Sequence, residues 1–231
     1  MTTPAATAPH QAVLARIRDA ERRHGRVPGS VMLLAVSKQQ PPEAIAALAA
    51  SGQRAFGENY LQEALPKIAR LEGLGLSWHF IGRIQSNKTR DIAAHFAWVH
   101  TLDRPKIAER LAAQRPPELP PLECLVEVNV SGEASKGGVA PAALPELLAC
   151  CRELPGLRLR GLMALPAPEA DFERQRAAFR RVREALDALG DPALDTLSMG
   201  TSDDFEAAIA EGATIVRIGT ALFGPRPRAA G

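Results

Sequence analysis

The sequence predicts a single-domain α/β protein that folds as a closed (β/α)8, or TIM, barrel with an extra helix at its N-terminus. Eight short apolar or β-branched segments alternate with longer segments rich in Ala, Leu, Glu and Arg, which is the pattern of repeated βα units. The length of 231 residues suits one such barrel. The first strand is followed by Ser37-Lys38-Gln39-Gln40-Pro41 and not by the G-x-G-x-x-G turn of a dinucleotide-binding sheet, so an open Rossmann-like sheet is the second choice.

The first predicted element is an amphipathic helix with Val13, Leu14 and Ile17 on one face. The stretch up to Arg18 has no acidic residue and also resembles a mitochondrial presequence, which is the alternative interpretation. Residues 1–9 are rich in Thr, Ala and Pro, and residues 225–231 alternate Pro and Arg at their start. We therefore expect one domain, 1–231, with 10–224 ordered and both ends loose.

The predicted strands and helices alternate along the rest of the chain. The strands are short apolar runs at 31–37, 54–56, 77–81, 98–101, 123–129, 158–163, 196–199 and 214–218. The helices lie between them at 42–50, 60–71, 86–94, 104–114, 141–154, 171–189 and 203–210. Pro41 and Pro42 start the helix after the first strand, and Gly52 ends it.

Composition limits the partners and the compartment. A net charge of +2 with 23% charged residues shows no bias towards binding nucleic acid. No apolar run reaches the length of a membrane span. The three cysteines, Cys124, Cys150 and Cys151, have neither metal-ligand spacing nor an even number for disulfide pairing, so we expect no metal site and a reducing compartment, the cytoplasm.

Lys38 ends an apolar run, 31–37, in which six of seven residues are hydrophobic. Such a run predicts a strand buried on both faces, and Lys38 stands where that strand leaves the core. In a closed barrel the βα loops gather at the carboxyl ends of the strands, where active sites are built. A lysine there can lose its proton through desolvation and form a Schiff base with an aldehyde, although a strand-end lysine can also simply mark the boundary with water.

Residues at the other predicted strand ends are expected to converge on Lys38. They are Glu58, Asn59, His79, Gly82, Asn129 and Met163, then Gly200, Thr201 and Ser202 after strand 7, and Arg217, Gly219 and Thr220 at strand 8. The loops after strands 7 and 8 of a barrel often bind phosphate together with a helix N-terminus. We expect Ser202 to cap the next helix, and Asp203 and Asp204 to turn their carboxylates outward.

An amine, a phosphate cradle and an arginine at one barrel mouth indicate pyridoxal 5′-phosphate (PLP). In this interpretation Lys38 forms the Schiff base, Gly219 and its neighbours hold the phosphate, and Arg217 faces the ring nitrogen. A permanently charged guanidinium leaves that nitrogen unprotonated, which weakens the ring as an electron sink.

Six segments in one order closely resemble the YggS/PROSC family, the pyridoxal phosphate homeostasis proteins. They are Ala35-Val36-Ser37-Lys38, Phe56-Gly57-Glu58-Asn59, His79-Phe80-Ile81-Gly82, Gln85-Ser86-Asn87-Lys88, Gly161-Leu162-Met163 and Val216-Arg217-Ile218-Gly219. The similarity runs from the first helix to about Gly224. It implies a single barrel like the N-terminal domain of bacterial alanine racemase.

The resemblance also implies roles for individual residues. The lysine matching Lys38 carries PLP, the arginine matching Arg217 approaches the pyridine nitrogen, and the residues matching Ser202, Gly219 and Thr220 bind the phosphate. To this expected cofactor site we add Asn59, His79 and Met163. Thr201 stands where the family usually has methionine, which adds a hydroxyl near the phosphate.

The expected function is PLP binding and delivery, and not turnover. A racemase needs a second proton-transfer group on the opposite face of its substrate, supplied in alanine racemase-like enzymes by another domain, and this chain stops after strand 8. The only tyrosine, Tyr60, fits a packing or rim role, and His79 fits either proton transfer or support of a loop. Weak racemase or transaminase activity and a Schiff-base enzyme acting on a sugar or keto acid are the alternatives.

Lys136 lies on a glycine-containing loop after strand 5 and matches a lysine of the family. Lys136 is expected to assist the entry of PLP, its exit or a second, separate contact with PLP. The alternative is that Lys136 is an ordinary solvated lysine of the loop. The expected partners are PLP and PLP-dependent apo-enzymes, and the expected oligomeric state is a monomer or a weak dimer.

Overall fold

The architecture is a closed barrel of eight parallel strands surrounded by helices, as the sequence predicts. The computed structural model describes residues 4–131 and 137–224, and only the backbone of residues 4–6. The strands are β1 Met32–Val36, β2 Ala55–Glu58, β3 Ser77–Phe80, β4 Trp98–Leu102, β5 Leu122–Glu127, β6 Leu157–Met163, β7 Thr196–Ser198 and β8 Ile215–Ile218. Because β8 pairs with β1, the sheet has no edge.

Helices follow the strands around the barrel. They are α1 Pro4–Arg23, α2 Pro42–Ala50, α3 Leu61–Arg70, α4 Thr89–His95, α5 Pro105–Gln114, α6 Leu144–Arg152, α7 Phe172–Asp187, α8 Phe205–Ala210 and α9 Thr220–Phe223. Two 3-10 turns, Ser86–Lys88 and Pro141–Ala143, precede α4 and α6. Each therefore begins a segment that the sequence predicts as one continuous helix.

Helix α1 is the predicted extra helix. Val13 and Ile17 are buried, and Leu14 packs against the same core. The helix begins at Pro4, inside the stretch 1–9 for which composition predicts a loose end. The carboxylate of Glu21 accepts hydrogen bonds from the backbone N–H groups of Gly29 and Val31, both at 2.9 Å, and so fixes the entry into β1.

The loop between β7 and α8 differs from the prediction. Helix α8 begins at Phe205, and its N-cap position is Asp204. The Asp204 carboxylate accepts hydrogen bonds from the backbone N–H and the hydroxyl of Thr201, at 2.6 and 2.9 Å. Ser202 is therefore not the capping side chain, and the Asp204 carboxylate turns back towards Thr201 because it satisfies that residue's donors.

None of the helices described in 4–131 and 137–224 combines the length and the apolar character that a membrane crossing requires. In the same part of the chain, Cys124, Cys150 and Cys151 are free thiols. The predictions for Lys136 and for 1–3 and 225–231 fall outside the described residues.

Candidate functional site

The carboxyl ends of the strands enclose a cavity of about 490 Å³, a volume typical of small-molecule sites. Seven of the eight residues expected to hold the cofactor line it: Lys38, Asn59, Met163, Ser202, Arg217, Gly219 and Thr220. They come from the ends of five strands, β1, β2, β6, β7 and β8. The structure thus brings together in one cavity residues from Lys38 to Thr220, which lie far apart in the sequence.

Lys38 is half-buried on a tight turn after β1. The turn closes through a hydrogen bond from the Gln40 N–H to the Ser37 carbonyl at 3.0 Å. Gln39 has φ = 60°, a left-handed conformation, and its N–H donates to the carboxylate of Glu63 on α3. This helix contact holds the turn in the conformation that places Lys38 on the cavity wall.

A buried ion pair lies directly beneath that turn. Lys67 on α3 is 5% exposed and donates to the Ser37 carbonyl and to Glu58 Oε1, both at 2.9 Å. Glu58, fully buried at the end of β2, also accepts from the Ser37 hydroxyl at 2.7 Å. Burial raises the pKa of Glu58, while the bonds from Ser37 and Lys67 oppose that rise. The pair ties β1, β2 and α3 together under Lys38.

Arg217 lies inside the barrel mouth on β8 and is 6% exposed. Its Nη1 donates to the carbonyl and hydroxyl oxygens of Ser198, at 2.6 and 2.9 Å, and its Nη2 donates to the Ala164 carbonyl at 3.0 Å. Burial lowers the pKa of Arg217 to about 10, so the guanidinium still carries its charge at neutral pH. Three bonds to two neighbouring strand ends fix its plane.

His79 does not belong to the cavity wall, contrary to the prediction. It lies within β3 with its ring in the barrel interior and is 1% exposed. The ring bonds Ser77 Oγ at 3.2 Å and His100 Nε2 at 3.0 Å, and it stacks on Trp98 with ring centroids 5.4 Å apart. The prediction failed because His79 precedes the strand end and points into the core.

Several cavity residues were not predicted. Glu127 ends β5, and Asp103 and Arg83 follow β4 and β3. Burial and the nearby charge of Asp103 raise the pKa of Glu127, which therefore keeps its proton to higher pH than an exposed glutamate. Glu127 was not recognised as a strand-end residue because the predicted fifth strand, 123–129, continued two residues further to Asn129. Asn129 instead lines a neighbouring cavity.

That second cavity, about 720 Å³, adjoins the first one and shares Glu127, Gly137, Leu165, Thr201 and Asp203 with it. Asp203 is exposed and lines both cavities, so the outward orientation of its carboxylate stays a prediction. Gly200, in the loop after β7, has φ = +93°, and a Cβ there would lie 2.6 Å from the Ala208 Cβ. Only glycine lets the loop after β7 pack this closely on α8.

Two features of the first cavity suit a bound ligand. Asn59 Oδ1 is buried without a hydrogen-bond partner among the described atoms, which costs free energy unless a ligand donates to it. At the other side, Gly219 and Thr220 begin α9, whose first backbone bond runs from the Leu222 N–H back to the Gly219 carbonyl. The backbone N–H groups of Gly219 and Thr220 lie before this first bond. Together with the Ser202 hydroxyl they can donate to an anion.

The sequence of this chain matches a known protein family. The family model described as "Alanine racemase, N-terminal domain" matches residues 10–227. The pyridoxal phosphate homeostasis protein of Pseudomonas aeruginosa is 63% identical over 214 residues, which are 93% of each chain. The chain belongs to the YggS/PROSC family of pyridoxal phosphate homeostasis proteins, which carries the alanine racemase N-terminal domain.

Two further relatives support the assignment. The Escherichia coli pyridoxal phosphate homeostasis protein is 54% identical over 222 residues, covering 92% of this chain and 95% of the relative. The structure of PipY from Synechococcus elongatus with PLP bound superimposes with a TM-score of 0.79 at 38% identity, covering 91% of this chain and all of PipY. The family and the barrel class predicted from the sequence are both confirmed.

The pH dependence of stability follows from the buried histidines. Burial lowers the pKa of His79 to about 3 and that of His100 well below 6.5, so both rings stay neutral in the folded protein. In the unfolded chain they take up protons near pH 6.5. Because the unfolded state then binds more protons, the free energy of unfolding falls as pH is lowered from 6.5 towards 3, by up to about 1.4 kcal/mol per pH unit for each ring.

Urea unfolding at pH 7, 6 and 5 measures this effect. The His79→Gln variant removes one titrating ring, so its free energy of unfolding should fall less steeply with acidification than that of the wild type. Equal slopes for the two proteins would contradict the neutral state of His79.

Proposed function

We propose that the chain binds PLP in the 490 Å³ cavity and serves intracellular PLP homeostasis as a carrier or store of the cofactor. The observation that carries the proposal is the convergence of Lys38, Arg217 and the Ser202–Gly219–Thr220 cradle on that single cavity. The names of the relatives and the PLP bound to PipY support it.

Each residue has a distinct role in this proposal. PLP supplies an aldehyde, which Lys38 holds as a reversible Schiff base. Ser202, Gly219 and Thr220 donate to the phosphate, and Asn59 Oδ1 gains a partner from the ligand or its bound water. Met163, at the end of β6 and 4% exposed, supplies an apolar wall for the ring.

Arg217 favours holding PLP over using it in turnover. Its guanidinium can only donate, so the ring nitrogen facing it acts as an acceptor and stays unprotonated. An unprotonated ring is a weak electron sink, which disfavours the removal of a substrate proton. The relatives are named homeostasis proteins and not enzymes, in agreement with the prediction.

The described part of the cavity wall does not contain the usual second base of a racemase. Among its described residues there is neither a tyrosine nor a histidine. Tyr60 precedes α3 and is 55% exposed outside the cavity. Stereospecific proton return to the opposite face of a substrate therefore has no evident tyrosine or histidine donor in the described wall.

PLP-dependent apo-enzymes are the proposed recipients, and the protein acts as a monomer or a weak dimer. The free thiols Cys124, Cys150 and Cys151 fit a cytoplasmic location, where thiols stay reduced. Lys136 is proposed to assist the entry and exit of PLP, which unchanged release kinetics in Lys136→Ala would contradict.

Cofactor transfer tests delivery. The PLP-loaded protein is mixed with a PLP-dependent apo-enzyme in the presence of a phosphatase that destroys released PLP, and free PLP at the same concentration serves as the control. We expect the loaded protein to activate the apo-enzyme under conditions in which the phosphatase prevents activation by free PLP. Equal loss of activation in both mixtures would contradict direct delivery and leave storage as the function.

A further inference from the structure

A chain of hydrogen bonds crosses the barrel interior behind Arg217. From Arg217 Nη1 it runs to Ser198 Oγ at 2.9 Å, then to His100 Nδ1 at 2.9 Å. From His100 Nε2 it continues to His79 Nδ1 at 3.0 Å, and from His79 Nε2 to Ser77 Oγ at 3.2 Å. The chain joins the cavity at the carboxyl ends of the strands to the opposite end of the barrel, where β3 begins.

Only one residue of this hydrogen-bond chain lines the cavity. Arg217 lines it, whereas Ser198 and His100 are fully buried and His79 is 1% exposed. The ring of His79 lies parallel to that of Trp98, with an interplanar angle of 2°, which fixes its orientation. Any effect of the histidines on a ligand in the cavity must therefore pass through Ser198 and Arg217.

In this chain of hydrogen bonds, one placement of the protons gives each of the four bonds a donor and an acceptor. Arg217 can only donate, so Ser198 Oγ accepts from it. The Ser198 hydroxyl then donates to His100 Nδ1. Each neutral ring donates one hydrogen bond in turn: His100 Nε2–H donates to His79 Nδ1, and His79 Nε2–H donates to Ser77 Oγ. The reverse arrangement would give Ser198 Oγ two donors and leave its own proton without an acceptor among its bonded partners, at a cost in this buried site.

We propose that His100, supported by His79, is a positioning residue for Arg217. By accepting the Ser198 hydroxyl proton, His100 orients the Ser198 oxygen towards Arg217, and a polarised chain strengthens that charge-assisted bond. The guanidinium is thereby held with its remaining N–H groups available to the cavity. This inference rests on the proposed PLP site and assigns to the histidines the control of the group that faces the ring nitrogen.

The test compares three single substitutions. His100→Leu removes the acceptor of the Ser198 hydroxyl, whereas His100→Asn keeps an acceptor oxygen close to the position of Nδ1 and gives up only the link to His79. His95→Leu makes the same change as the first variant at an exposed histidine of α4 and is the matched control. Thermal unfolding establishes that each variant is folded.

Two measurements follow the effect. In the protein without PLP, NMR of labelled arginine reports rotation of the Arg217 guanidinium, whose signals are assigned by comparison with Arg217→Lys. With PLP, equilibrium binding gives the dissociation constant. We expect His100→Leu to release guanidinium rotation and to weaken PLP binding roughly tenfold, as for a weakened bond to a charged group. His100→Asn should stay within about threefold of the wild type, and His95→Leu should match it.

Wild-type rotation and affinity in folded His100→Leu would overturn the proposal, as would His100→Asn behaving like His100→Leu. If His100→Leu does not fold, Ser198→Ala removes the hydroxyl itself and carries the same test with the same two outcomes. Failure of the wild type to bind PLP would overturn the proposed function, whereas the guanidinium measurement would still decide the positioning role.

Discussion

Replacing Lys38 by alanine is expected to abolish the visible absorption band of the PLP-loaded protein and to weaken PLP binding by roughly a hundredfold, or about 2.8 kcal/mol. Lys38 is the lysine on the wall of the cavity among the described residues, and its amine is the proposed covalent anchor. Ser202, Gly219 and Thr220, the proposed phosphate donors on the cavity wall, remain in the variant, so residual non-covalent binding is expected. Absorption spectra and equilibrium dialysis measure both effects.

Lys106→Ala is the matched control, because Lys106 is exposed on α5 and lies away from the described cavity wall. Its spectrum and affinity should equal those of the wild type. A visible band of normal intensity in Lys38→Ala would contradict the assignment of Lys38 as the anchor.

Replacing Lys67 by methionine is expected to destabilise the fold by about 3–5 kcal/mol, because it leaves the fully buried Glu58 without its cation. The Ser37 carbonyl loses one of its two donors in the same variant and keeps only the Gln40 N–H, so the turn that carries Lys38 should also loosen. Urea unfolding gives the free energy, and PLP binding reports on the turn.

The double variant Glu58→Leu/Lys67→Met separates the two effects. With both charges removed, stability should return close to that of the wild type, because a buried ion pair adds little over apolar residues of similar size. PLP affinity should stay low, since Ser37 still lacks its hydrogen bonds to the side chains of Glu58 and Lys67. A loss below about 1 kcal/mol in Lys67→Met would contradict the role of the pair.

The barrel and most of its site could be predicted because their signals are local. The apolar run before Lys38 and the small residues around Gly219 each reveal a strand end within a few positions, and barrel topology then brings the strand ends together. Seven site residues reach one cavity by this reasoning alone. The geometry of the loop after β7 could not be predicted in this way. There the Asp204 carboxylate, and not the Ser202 side chain, accepts hydrogen bonds from the backbone N–H and the hydroxyl of Thr201.

The features that could not be predicted depend on contacts between distant strands. His79, His100 and Ser198 meet because β3, β4 and β7 face one interior, and no spacing in the sequence reveals that. Lys67 could be paired with Glu63 from their spacing on α3, but its bond to the buried Glu58 follows from the packing of α3 on β2. Glu127 was missed because periodicity places the end of a strand only to within a few residues.

The most direct test of PLP binding at this site is to locate the modified residue. The wild-type protein is loaded with PLP, reduced with borohydride to make any Schiff base permanent, digested and analysed by mass spectrometry of its peptides. We expect the reduced pyridoxyl phosphate group on Lys38 in nearly every molecule. An unmodified Lys38, with the group absent or carried by another lysine such as Lys136, would contradict the account.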